Sequence, residues 1–330
     1  MQDRQDRMPE AAQRRTPNSP FNHAARALLH EFAQQRPIRA GSLVISVFGD
    51  AIAPRGGSVW LGSLIEALQA FGISDRLVRT SVFRLAKQGW LAADRIGRRS
   101  FYRLTDRGTR RFREASRRIY AAPRQDWAGN WCLALIGGVD ADVRDQVRRE
   151  LGWQGFAPFS SNVLAHPAPD LAEVDNCLAD IEGADRVLLM NATVHDTRES
   201  LLRDLIGDAW QLDQLAQRYR DFLARFRPLY QAGREEPDPD PQLSFCIRAL
   251  LIHDYRRILL RDPSLPAALL PERWDGVAAY QLCRNLYGRL AEPAEQYLTD
   301  NIENAYGPLP PAEPDFYERF GGLGEGTNHG

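Results

Sequence analysis

Apolar residues at Ala25, Leu28, Leu29 and Phe32 recur at helical spacing, so NHAARALLHEFAQQ is predicted to be a helix capped by Asn22. The same spacing at Leu61, Leu64, Ile65, Leu68 and Phe71 predicts a second helix that stops at Gly72. A third, SDRLVRTSVFRLAKQG, takes Ser74 as its cap, Asp75 in its first turn and Lys87 in its last, an arrangement that suits the helix dipole at both ends. The period then changes. WLAADRIGRRSFYRLT predicts two short strands around Ile96-Gly97-Arg98-Arg99, with Trp90, Leu91, Phe101 and Leu104 turned toward the helices. Thr105 of the following LTDRG caps a basic helix, TRRFREASRRIYAAP.

Between the first two helices lies FGDAIAPRGGSVWLGSL, which resembles a nucleotide loop: a strand, a bend, paired glycines with an arginine, then a helix. Phosphate loops need glycine to bring backbone N–H groups close and a helix N-terminus aimed at the anion. No Lys-Ser or Lys-Thr follows Gly56-Gly57, and the spacing is not G-x-G-x-x-G. The glycines are therefore read as a turn that sets Trp60 and Leu61 at the head of the second helix, with Arg55 available to a DNA phosphate.

On the third helix Val78, Val82, Leu85 and Ala86 form a narrow aliphatic side, and Arg76, Thr80, Phe83, Arg84 and Lys87 fall opposite, with Arg79 on the flank. Arginine can read guanine bidentately and an apolar group can meet a thymine methyl, so this face suits the major groove. Solvated charges on an amphipathic surface helix would give the same pattern. The hairpin decides between them, because Arg95, Arg98, Arg99 and Arg103 cluster where a wing meets phosphates. Helix, turn, helix and basic hairpin in that order predict a winged helix-turn-helix that binds DNA.

A new pattern begins near residues 121 to 128. Strands NWCLALIGG, SSNVLAHP and DRVLLMNAT alternate with two amphipathic helices, which suggests a small α/β or ferredoxin-like domain. His166 and His195 lie near strand ends without paired ligand spacing and read as single histidines, not a metal site. Residues 198 to 230 predict one long amphipathic helix, and REEPDPDPQ an exposed linker. Two more helices follow, SFCIRALLIHDYRRILLRD and GVAAYQLCRNLYGRLAEPAEQYL. Within the first, His253, Asp254, Tyr255, Arg256 and Arg257 put charge on an otherwise buried helix, either as an ion-pair network using Asp254 or Asp262 or as a receiver for an anionic ligand. From Gly307 onward the chain reads as loose.

The net charge of -1 hides an asymmetry: the first 120 residues carry 22 Lys or Arg against 10 Asp or Glu, and the remainder 20 against 33. A basic front joined to an acidic remainder fits a nucleic-acid-binding module with a separate sensing or assembly module. Cys132, Cys177, Cys246 and Cys283 form no C-x-x-C pair, the first 21 residues read as a disordered tail, and no apolar segment marks a leader or a membrane span. A cytoplasmic protein with reduced thiols and no metal or cofactor is expected.

Three long stretches, SVFGDAIAPRGGSVWLGSLI, GISDRLVRTSVFRLAKQGWL with GRRSFYRLT, and LLIHDYRRILLRDPSLPAALLPERWDG, resemble the PaaX family of bacterial repressors of aromatic-acid catabolism, over about Ala25 to Leu298. The resemblance implies an α+β, multidomain chain: a winged helix-turn-helix over 22–120, a ferredoxin-like domain over 125–197 similar to that of the CRISPR adaptation ribonucleases, and an all-helical domain over 198–306 for effector binding and dimerisation. It also implies a homodimer on an inverted repeat of operator DNA, released by phenylacetyl-CoA or another acyl-CoA, and no enzymatic activity or membrane partner. His253, Tyr255, Arg256 and Arg257 are the candidates for the effector. The strand that should hold a metal-binding aspartate in a ribonuclease reads WCLALIGG, and the first acid, Asp140, comes after it. The alternative from another class is a ribonuclease-like or CoA-handling enzyme with a DNA-binding appendage.

Overall fold

The computed structural model describes residues 19–123, 126–167, 169–195, 199–234 and 239–323. The expected disordered tail lies outside these residues up to position 18, as do residues 235–238 of the REEPDPDPQ linker. Two compact units divide the chain, one made of Met1–Arg117, Arg225–His253 and Cys283–Gly330, the other of Arg118–Ala224 and Asp254–Leu282. Compactness thus cuts the chain differently from the expected three successive domains.

In the first unit, helix α1 (Pro20–Gln34) begins two residues before the predicted cap, because Ser19, not Asn22, accepts from a first-turn amide, the N–H of Asn22. Its buried Phe21, Ala25, Leu28, Leu29 and Phe32 form the expected face. The predicted strand before FGD is instead helix α2 (Ala40–Val47), prolonged by a wide helical turn at Phe48–Ile52 and a tight one at Ala53–Arg55. Leu43, Val44, Val47 and Phe48 are buried at helical spacing, so the near-continuous apolar run is a buried helix, a case that periodicity alone does not separate from a strand. Gly56 and Gly57 both hold positive φ, the turn expected of them, and lead through strand β1 (Ser58–Trp60) into helix α3 (Leu61–Gln69). Helix α4 (Asp75–Lys87) follows, capped by Ser74 as predicted, and then strands β2 (Leu91–Ile96) and β3 (Arg99–Leu104). The three strands form an antiparallel sheet in the order β1-β3-β2. Helix α5 (Asp106–Tyr120) leaves this sheet through Thr105, whose hydroxyl donates to the Gly89 carbonyl and accepts from the Gly108 amide.

The turn that sequence offered to a phosphate carries a buried ionic cluster instead. Asp50, 2% exposed, accepts from Arg248 Nε at 3.0 Å, Tyr287 OH at 2.8 Å and Arg319 Nη1 at 3.1 Å. Glu295 accepts from Arg248 Nη1 at 2.7 Å and pairs with Arg55. Arg55 is 1% exposed, so it is not available to DNA. The guanidinium carbons of Arg55, Arg248 and Arg319 stand 5.2, 5.6 and 4.7 Å from the centre of one ring, Phe316. Burial, followed by the like charge of Arg248, pushes Arg55 down to about 10, and burial pushes Tyr287 up to about 12. Arg248, Tyr287 and Glu295 come from helices α10 (Pro241–Leu259) and α11 (Asp275–Asn301); Phe316 and Arg319 come from the segment expected to be loose. That segment is packed as far as Leu323: Leu309, Phe316, Arg319 and Phe320 are buried, and the Glu313 amide donates to the Pro54 carbonyl. Residues 324–330 lie outside the described residues.

In the second unit strands β4 (Asn130–Leu135), β5 (Ala157–Ser160), β6 (Val163–His166) and β7 (Leu188–Thr193) form an antiparallel sheet in the order β5-β6-β4-β7, one strand more than predicted. Helices α6 (Ala141–Trp153) and α7 (Leu171–Ala179) supply Val147, Leu151 and Val174 to its core. His166 is buried against Phe156, and His195 is exposed. The predicted long helix is two, α8 (Glu199–Ala209) and α9 (Leu212–Gly233), separated at Gln211, whose φ of 50 breaks the helical path while Trp210 donates to the Gly155 carbonyl.

Candidate nucleic-acid interface

Helix α4 buries Val78, Ser81, Val82 and Leu85 and leaves Arg76, Arg79, Thr80, Phe83, Arg84 and Lys87 exposed, the division its sequence predicts except that Ser81 is buried and Ala86 only half-buried. Phe83 is 56% exposed, and Lys87 Nζ lies 5.0 Å from its ring centre, so ring and ammonium form one surface feature. Arg79 pairs with Asp75 one turn earlier at 2.5 Å, and Thr80 Oγ1 donates to the Arg76 carbonyl at 2.8 Å. The hydroxyl thus keeps its acceptor capacity for an outside donor. Arg84 lies over α2 where Gly41 leaves room: a Cβ at position 41 would stand 2.6 Å from Arg84 Nη2.

The β2–β3 hairpin turns at Gly97, which holds φ of 61, and presents Arg95, Arg98 and Arg99 as exposed side chains. Arg95 Nε donates to the Gly97 carbonyl at 3.3 Å, and Arg103 pairs with Asp94 across the strands at 2.8 Å. Arg99 is paired with Glu303 at 2.8 Å, from a ribbon of strands β8 (Glu303–Asn304) and β9 (Gly307–Pro308) that the sequence reading placed partly at the end of the all-helical domain, beyond its last helix, and partly in the loose tail. All nine proposed DNA contacts therefore lie on exposed surface of one compact unit.

The four effector candidates all lie on helix α10. His253 belongs to the first unit, where it is 1% exposed, hydrogen-bonded to Ser46 Oγ at 3.1 Å and edge-on to Phe32. Tyr255, Arg256 and Arg257 belong to the second. Tyr255 is 2% exposed against Phe222, and Arg257 reaches Asp254 only at 3.9 Å. Asp262, the other expected ion partner, accepts instead from the Tyr219 hydroxyl, and burial raises its carboxyl. Two cations missed by the sequence reading stand nearby: burial and the like charges of Arg261 and Arg257 push the Arg218 guanidinium down. Arg256 is lowered by burial and by Arg257.

Fold and surface define a class: an α+β chain of several modules, with a cationic helix and hairpin displayed on one unit and no helix among the described residues long and apolar enough to cross a membrane. The chain belongs to the PaaX family. Residues 39–108 match the PaaX-like protein family, 124–202 the PaaX protein central Cas2-like domain, and 210–300 the PaaX-like protein C-terminal domain. It is 40% identical over 289 residues to the transcriptional repressor PaaX of Escherichia coli strain K12, covering 87% of this chain and 92% of that one. Membership places it among regulators and not among enzymes. A solved structure, the uncharacterized protein Rv0674 from Mycobacterium tuberculosis, is similar at 26% identity with a TM-score of 0.50, over 77% of this chain and 96% of that one.

Proposed function

We propose that the protein is a DNA-binding transcriptional repressor in which α3 and α4 form a helix-turn-helix, α4 reads the major groove, and the β2–β3 hairpin is a wing on the flanking phosphates. One observation carries this reading: α4 shows Arg76, Thr80, Phe83, Arg84 and Lys87 to solvent while the hairpin in the same unit shows Arg95, Arg98 and Arg99. The repressor relative supports it, with a match over 87% of the chain. A homodimer then places two copies of α4 in successive major grooves, so the operator is an inverted repeat. The antiparallel sheet of β4 to β7 with α6 and α7 is a ferredoxin-like module without catalytic duty.

Arg84 owes its place to Gly41, which gives a direct test of the reading helix. Gly41→Ala should move the Arg84 guanidinium, because its far end is the atom in the way, while helix propensity keeps the melting temperature close to the parent's. Selection of bound sequences from a randomised duplex pool should then show a changed preference at one position per half-site. An unchanged preference would remove Arg84 from base reading.

The effector is an aromatic acyl-CoA of the phenylacetyl-CoA kind, which releases the operator to the extent that it prefers the non-binding state. Its phosphates need cations, and Arg218, Arg256, Arg257 and Arg261 supply them within the second unit, close enough that Arg257 lowers both Arg218 and Arg256. Phenylacetyl-CoA titrated into the protein–operator complex should release DNA, and Arg257→Ala with Arg261→Ala should raise the concentration needed roughly tenfold, on the order of one charge-assisted contact. Release at the parent's concentration would return these arginines to a structural role.

A further inference from the structure

Arg99 begins β3 directly across the hairpin tip from Ile96. Its guanidinium lies over the Trp60 ring at 4.3 Å, and Gly62 leaves room for the ring, since a Cβ there would come within 2.4 Å of it. The ring thus attracts the guanidinium independently of any carboxylate. A carboxylate nevertheless occupies it: Glu303 Oε2 accepts from Arg99 Nη1 at 2.8 Å. Glu303 is not on a loose end. Its amide donates to Ser63 Oγ at 3.2 Å, and Ile302 and Leu309, 3% and 1% exposed, anchor the two legs of its ribbon and are bonded to each other, Leu309 N to Ile302 O, at 2.9 Å.

We propose that Glu303 competes with DNA phosphate for Arg99, so that the β8–β9 ribbon holds down the affinity of the wing for any duplex. Carboxylate and phosphate oxygens offer a guanidinium the same acceptor, so a phosphate contact requires Arg99 to give up Glu303. The two side chains are 54% and 43% exposed, and an ion pair so exposed is worth little. Glu303 is therefore an attenuator that DNA can displace, not a block. Among the described residues no carboxylate pairs with Arg98, and Arg103 takes its own from within the hairpin, so of these three it is Arg99 that a described residue outside the hairpin holds.

This inference rests on the assignment of the hairpin to DNA phosphates, and its test separates the two. The parent, Glu303→Gln, Glu303→Asp, Arg99→Ala and the Arg99→Ala/Glu303→Gln double variant are titrated by fluorescence anisotropy against one duplex of arbitrary sequence at low salt. Glu303→Gln should bind about two- to fivefold tighter than the parent, the range an exposed pair allows. Glu303→Asp, which keeps the charge on a shorter arm, should fall between, and the double variant should bind no tighter than Arg99→Ala. A Glu303→Gln protein that binds no tighter than the parent overturns the proposal, as does an equal gain in the Arg99→Ala background, which would reveal general charge repulsion. If Arg99→Ala binds as tightly as the parent in both backgrounds, the wing assignment falls as well. Melting curves of the Gln and Asp variants exclude a folding effect, since both partners are on the surface.

Discussion

Replacing Asp50 by alanine is expected to cost about 3 to 5 kcal/mol of folding stability, the range for removing one partner of a buried ion pair. The carboxylate receives three donors, from Arg248, Tyr287 and Arg319, and both arginines lie more than nine-tenths out of water. Without it, Glu295 is the one remaining carboxylate of the cluster against three guanidinium groups. Phe316 cannot make up the loss, since a ring face offers a cation far less than a carboxylate does. Urea unfolding followed by fluorescence and by circular dichroism is the measurement. Asp94→Ala, which breaks the half-exposed pair with Arg103, is the comparison and should change stability by less than about 1 kcal/mol. A loss for Asp50→Ala no larger than for Asp94→Ala would mean that the arginines are solvated after all.

Alanine at Arg76 or Arg84 should weaken operator binding by roughly 1 to 3 kcal/mol each, about 5- to 150-fold, if each guanidinium reads a base. Both are exposed on the α4 face opposite the core, and Arg84 is held at a defined place over α2 by the space at Gly41. Stability should hardly change, since neither side chain is buried. The loss should appear on the operator and not on arbitrary duplexes, because only base contacts carry sequence information.

Local rules were enough to find α4 and the hairpin, because there each signal agrees: a serine cap, charges matched to the dipole, a change of period and a glycine at the turn. The same rules failed at FGDAIAPR. Asp50 and Arg55 look like the polar residues of a loop, and only partners some 200 or more residues away make them core. One clue was present. Arg248 stands in the apolar run SFCIRALLIH, and the cost of burying a lone charge, applied in sequence to Arg256 and Arg257, applies with more force just over two turns earlier. The tail beyond Gly307 was read as loose because it lacks periodicity, yet Phe316, Arg319 and Phe320 are held by long-range contacts that leave no local pattern. For the same reason Glu303 could not be found: nothing in its neighbourhood points to an arginine 204 residues earlier.

The central claim is a division of labour, with α4 reading sequence and the hairpin holding the backbone. Binding of the parent, Arg84→Ala and Arg98→Ala to two duplexes of equal length, one carrying the site the parent selects and one scrambled, across a salt series tests it most directly. Arg84→Ala should lose affinity for the site while keeping most of it for the scrambled duplex. Arg98→Ala should weaken both by the same factor and lower the salt slope by about 0.9, one phosphate's share. An Arg84→Ala protein that keeps the parent's preference for its site, or an Arg98→Ala protein with an unchanged slope, would contradict the account.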